Sequence, residues 1–196
     1  DMSYHSFRAP AGADQPVVLA LHGTGGDEFQ FVELIRQMMP GAGIVAPRGD
    51  VSEYGANRFF RRTGEGVYDR ADLDHRTDAL LAFVAEVRAE APSRPLLAFG
   101  YSNGANILAA MLFRQPGLFD RAALLHPLIP WRPAPQPGLQ GLPILVTAGR
   151  SDPICPLPRS LALIDWFKAQ DAAVDSLIEP GGHEIRPPEL AALRRG

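Results

Sequence analysis

The sequence has a single cysteine, Cys155, in 196 residues. No intrachain disulfide and no cysteine-based metal site can be built from it. That usage fits a reducing cytoplasm, which is the expected compartment. No apolar run approaches the ~18 residues needed to span a bilayer, so membrane insertion is not expected. Charge of one sign is scarce as well: the net charge is −3, and no dense Lys/Arg run occurs. Nucleic acid and anionic lipid therefore find little to attract them. The most basic stretch, RFFRR at 58–62, sets three arginines beside two aromatics, too few for a nucleic-acid footprint.

Several cofactor signatures are missing too. Gly23 and Gly25 open a G-x-G, but the sixth position is Glu28, so the dinucleotide fingerprint fails. Neither G-x-x-x-x-G-K-[ST] nor H-E-x-x-H occurs, and no cofactor and no metal are expected. RGD at 48–50 reads as a turn.

What is present is an ordinary globular composition, 46% hydrophobic and 21% charged, which argues against disorder. The length suggests one domain over 1–196. Short apolar runs alternate with helical patterns. Strands are expected at 16–23, 43–47, 95–100, 121–127, 142–149 and 173–180, and helices at 28–39, 69–90, 103–114, 157–170 and 187–195. Residues 48–68 read as a loop rich in Arg, Gly and aromatics, and 127–141 as a Pro-rich connection. Strands apolar on both faces, separated by helices, predict an α/β fold with a mostly parallel sheet flanked by helices. Ligands then belong at the carboxyl ends of the strands.

At one such end stands Gly100-Tyr101-Ser102-Asn103-Gly104, a G-x-S-x-G turn between an apolar strand and an apolar helix. Glycine is needed two residues either side of a serine on so sharp a turn, because side chains there would collide with strand and helix. The bland alternative is a helix-capping serine. A serine hydroxyl needs a base, and the base an orienting acid, here in the order Ser, Asp or Glu, His. Only His126 and His183 follow Ser102, and only His183 leaves room for an intervening strand and acid loop. His126 reads instead as a satisfied histidine beneath the site. Between Ser102 and His183, Asp152 lies just past a strand. Asp120 precedes a strand, Asp165 and Asp171 belong to or end a helix, and Asp175 falls inside or at the start of a strand.

LHGTGGDE at 21–28 follows the first strong strand, and its turn suggests the Thr24 amide as one oxyanion donor, with the Asn103 amide as the other. Arg58, Phe59, Phe60 and Trp131 are candidates for the substrate pocket, with a solvated arginine face and simple packing as the alternatives.

Taken in order, LHGTGGDE, APRG, NRFFRR, EGVYD, GYSNGAN, LLHPLIP, AGRSDPICP and GGHE resemble the phospholipase/carboxylesterase family of small α/β-hydrolases, which includes acyl-protein thioesterases. They look most like its bacterial carboxylesterases associated with hydroquinone or catechol breakdown. The resemblance implies an α/β-hydrolase fold without a separate lid domain. It also implies a serine hydrolase with Ser102, Asp152 and His183 as triad, oxyanion amides at Thr24 and Asn103, and no metal.

Two departures matter. The thioesterase members usually carry glutamine where this chain has Asn103, and Trp-Phe-Asp where it has Phe59-Phe60-Arg61. The expected function is therefore a serine carboxylesterase acting on small short-acyl or aromatic esters. An acyl-protein thioesterase or lysophospholipase acting on longer chains is the alternative, and a hydrolase fold kept as a binding module is a third. The expected partner is a small-molecule ester; whether the chain forms a homodimer stays open.

Overall fold

The apolar runs become the middle of a seven-stranded sheet in a computed structural model that describes residues 4–196. In chain order the first half comprises β1 (Ser6–Ala9), β2 (Val17–Leu21), α1 (Val32–Met38), β3 (Gly43–Pro47), β4 (Val51–Glu53), β5 (Ala56–Arg58), β6 (Arg62–Gly64), β7 (Val67–Tyr68) and α2 (Arg70–Glu90). There follow β8 (Leu96–Tyr101), α3 (Asn103–Arg114), β9 (Arg121–Leu125), β10 (Pro143–Gly149), α4 (Leu157–Ala169), β11 (Ala173–Glu179) and α5 (Pro187–Arg195). The sheet order is β1-β3-β2-β8-β9-β10-β11, parallel throughout except for β1, which runs antiparallel to β3.

Successive strand side chains point to opposite faces. Leu19, Leu21, Ala98, Leu124 and Val146 meet the buried faces of α2, α3 and α4 on one side. Val18, Ala20, Phe99, Ala123 and Leu145 meet α1 and α5 on the other. Both faces are covered, which is why the central strands are apolar at nearly every position.

Three stretches differ from the sequence expectation. Strand β1 was not anticipated, because four half-exposed residues give no periodicity to read. Helix α1 starts at Val32 rather than 28, since the Asp27 side chain accepts from the Phe29 amide at 2.8 Å and holds 27–31 in turns. Residues 48–68 are not one loop but two small antiparallel ribbons, β4–β5 and β6–β7. Among the described residues, no helix is long and apolar enough to cross a membrane.

Candidate active site

Strand β8 hands over to α3 at Ser102, whose backbone sits at φ 53, ψ −113, a conformation rarely adopted by side-chain-bearing residues. A Cβ on Gly100 would strike the Gly104 carbonyl, and one on Gly104 would strike the Leu21 and His22 carbonyls. Both glycines are therefore demanded by close approach of backbone, and the turn is pinned by the Ser102 amide donating to Leu125 O at 2.9 Å. The hydroxyl is presented at the N-terminus of α3, where the helix dipole favours developing negative charge.

Ser102 Oγ lies 2.8 Å from His183 Nε2, and His183 Nδ1 lies 2.7 Å from Asp152 Oδ2. His183 comes from the loop after β11 and Asp152 from the loop after β10. The other carboxylate oxygen, Oδ1, accepts from the Ile154 and Cys155 amides at 2.8 and 2.9 Å. Burial of Asp152 opposes its ionisation, but these amides and the two neighbouring imidazoles outweigh it and hold the carboxyl below its usual range. The carboxylate is thus fixed in orientation and charge.

His126 touches the same carboxylate. Its backbone is also left-handed, φ 53, and its fully buried ring places Nδ1 3.2 Å from Asp152 Oδ2. On the far side Nε2 stands 2.8 Å from Glu189 Oε1, near enough for an ion pair but out of line for a directed hydrogen bond. Burial alone would lower this histidine's pKa; Glu189 and Asp152 reverse that and raise it. Glu189, wholly buried on α5, also accepts from Thr147 Oγ1 at 2.6 Å and from the Arg186 amide at 2.8 Å. Sequence reasoning missed Glu189. In PPEL it reads as a helix-capping acid, which it also is.

Across the serine, the turn at 22–26 is built on His22. Its Nε2 accepts from the Gly49 amide at 2.9 Å, and its Nδ1 faces Gly23 O at 2.7 Å, which requires the neutral ring with its proton on Nδ1. Burial lowers the His22 pKa and favours that neutral form. The amides of Thr24 and Asn103 donate to no other group among the described residues, and both residues line the hollow beside Ser102. Arg58 steadies this turn: Nη1 donates to Thr24 Oγ1 at 2.7 Å and Nε to Phe60 O at 3.0 Å. Burial, and then the nearby Arg62, bring its pKa down to about 10, which leaves it charged at neutral pH.

The hollow measures about 280 Å³ and is lined by Ser102, His183, Arg58, Arg62, Tyr68 and Ile154 among others. Ribbon residues therefore form one of its walls. Two expectations need correction. Phe59 and Phe60 do not line it: both are fully buried, Phe59 against His22 and Phe60 edge-on to Tyr68, because their rings gain most from exclusion of water. Trp131 also lies outside it, half-buried with the Arg70 guanidinium 3.8 Å from its ring centroid. Arg58 alone of the four proposed pocket residues faces the serine's hollow.

Another hollow, about 170 Å³, lies on the α1/α5 face and is walled by Ile35, Met38, Phe99 and Leu145. It holds no serine, histidine or cysteine, so nucleophilic chemistry has no foothold there. His126, Asp152 and His183 each offer a ligand atom within 4.8 Å of the others. Both imidazoles, however, aim Nδ1 at one Asp152 oxygen, an arrangement for sharing protons rather than for converging on an ion.

Three comparisons bear on this geometry. The chain is 37% identical over 185 residues to "Putative hydrolase MhqD" of Bacillus subtilis (strain 168), covering 93% of this chain and 92% of that one. Among solved structures, the Bacillus cereus carboxylesterase superposes with a TM-score of 0.88 at 36% identity, over 94% of this chain and 88% of that chain. Protein Atu2452 of Agrobacterium tumefaciens, described as of unknown function, superposes with a TM-score of 0.90 at 47% identity, over 98% and 94%. No family model matches the chain.

Proposed function

This chain belongs to the carboxylesterase-type family of small α/β-hydrolases, and from that premise we propose that it is a serine carboxylesterase acting on small short-acyl or aromatic esters. The observation that carries the reading is the unbroken chain Ser102 Oγ–His183 Nε2–His183 Nδ1–Asp152 Oδ2, at 2.8 and 2.7 Å.

In the proposed cycle His183 takes the Ser102 proton as Oγ attacks the ester carbonyl carbon. The amides of Thr24 and Asn103 receive the negative oxygen, and being already oriented they need no rearrangement as charge develops. The tetrahedral species collapses as His183 returns the proton to the leaving alcohol, which departs and leaves an acyl-serine. Water then enters, gives a proton to His183 and attacks the acyl carbon. Collapse re-forms the Ser102 hydroxyl and frees the carboxylic acid. Asp152 holds His183 in the tautomer with its proton on Nδ1 and stabilises the imidazolium between steps.

The hollow supports the small-ester part of this reading. At about 280 Å³ it is at the small end of ligand sites, and buried Arg58 and the Tyr68 ring give it a polar, aromatic wall rather than a long greasy groove. This favours compact esters over long acyl chains and membrane-derived lipids. The test is hydrolysis of p-nitrophenyl esters from acetyl to palmitoyl, with Ser102→Ala beside the intact chain. Activity greatest on short chains and abolished by the substitution is expected. Activity confined to long chains would favour the thioesterase or lysophospholipase alternative.

A further inference from the structure

The hydrolytic cycle leaves one buried histidine without a task. His126 is fully inaccessible, and so are the two carboxylates on either side of it, Asp152 at 3.2 Å and Glu189 at 2.8 Å. A neutral imidazole offers the two carboxylates no charge, whereas an imidazolium attracts both, through Nδ1–H toward Asp152 and at ion-pair distance from Glu189. Without a positive charge between them, two ionised carboxylates would share a dry pocket and repel.

The surroundings hold the ring where it is. The His126 amide donates to Thr147 O at 3.1 Å, the Cys155 thiol donates to the His126 carbonyl at 3.5 Å, and Glu189 is anchored by Thr147 and the Arg186 amide. The Asp152 oxygen that faces His126 is the same atom that holds His183.

We infer that His126 is kept as an imidazolium between Asp152 and Glu189 and serves as a positioning residue, aiming Asp152 at His183 and setting how far into acid the Ser102–His183 pair stays active. The second half of this inference rests on the esterase reading. The charges facing the ring can be named element by element. The loop after β10 brings Asp152 and Cys155, α5 brings Glu189, the loop after β11 brings His183 and Glu184, and β8 ends in Tyr101. Burial keeps the thiol and the phenol neutral. Glu184 is exposed and screened by water, so the buried balance around Asp152 is two carboxylates against one imidazolium, with the His183 ring 5.5 Å from that of His126.

The sign of the effect follows. Removing the imidazolium leaves two carboxylates that favour a proton on the remaining imidazole, so the acidic limb of kcat/KM moves to higher pH. Removing Glu189 as well restores a single net negative charge, and the limb returns. His126→Asn is the suitable change, because asparagine tolerates the left-handed backbone at φ 53 better than most residues.

The experiment measures ester-hydrolysis pH profiles for the intact chain, His126→Asn, Glu189→Gln and the double variant. The expected result is a limb about one pH unit higher in His126→Asn, back at the original position in the double variant, and lower in Glu189→Gln. A role in packing alone predicts a double variant no better than either single one. Limbs that superimpose in all four proteins overturn the inference.

Ring titration of His126 by NMR, assigned through His126→Asn or, if that variant does not fold, through the response to Glu189→Gln, needs no turnover. A ring charging above the ordinary histidine range in the intact chain, and at lower pH in Glu189→Gln, is expected. A ring neutral throughout that range overturns the imidazolium. A charged ring in a protein without ester turnover overturns the esterase reading alone.

Discussion

The Tyr101 hydroxyl donates to the backbone carbonyl of His183 at 2.7 Å, and the two rings lie against each other with centroids 5.4 Å apart. The residue before the serine thus braces the loop that delivers the imidazole. Burial, with a smaller contribution from Asp152, pushes the Tyr101 pKa up to about 12, so its hydroxyl remains a donor across any working pH. Tyr101→Phe removes that single bond. The expected cost is about 1 kcal/mol, roughly a fivefold drop in kcat with KM little changed. An unaltered kcat would mean the loop is held by its other contacts alone.

The elbow makes a stability prediction. A Cβ on Gly104 meets backbone carbonyls of Leu21 and His22, which cannot swing aside as a side chain could. Gly104→Ala is expected to destabilise the fold by about 3 kcal/mol or more, read as a lower denaturation midpoint. A midpoint within error of the unmodified chain would contradict the close approach.

Arg58 links Thr24 to the Phe60 carbonyl with two nitrogens of one fork, a geometry that lysine cannot reproduce. Arg58→Lys is expected to lower kcat/KM about tenfold or more on short esters, because the Thr24 turn loses its brace. Equal kcat/KM would show that the turn is held by His22 and Gln30 without it.

The pH dependence of stability separates two histidines. Burial lowers the His22 pKa in the folded chain, so its contribution is present above its unfolded value near 6.5 and is lost as pH falls through the folded value. His126, raised, does the reverse: its contribution is full below 6.5 and is lost as pH rises through its folded value. Denaturant midpoints at pH 7.5 and 5.5 should therefore change differently in the intact chain and in His22→Gln. The acid-induced loss is expected to be smaller in the variant, and an identical loss would remove His22 as its source.

Much of this arrangement is written locally in the chain. Gly100 and Gly104 advertise the elbow because the constraint they answer lies within five residues. Asp152 is legible because a strand end and Pro153 frame it, and His183 because the order of elements leaves it as the candidate. The central strands are apolar on both faces and are separated by helical patterns, so the parallel sheet is readable too. What escapes is set by partners far along the chain. Phe59 and Phe60 look like a pocket wall until His22 and Tyr68 close over them. The two ribbons at 51–68 are too short to show an alternation. Glu189 caps a helix in sequence terms, and only folding brings it to His126, 63 residues earlier, across the end of β10.

The most direct test of the central claim is labelling with a fluorophosphonate, which captures an activated serine, followed by mass spectrometry of the peptide bearing residues 99–106. Stoichiometric modification at Ser102, lost in His183→Ala although that variant remains folded, is the predicted result. A folded protein left unlabelled, or labelled equally well without His183, would contradict the assignment of Ser102 as a nucleophile activated by His183.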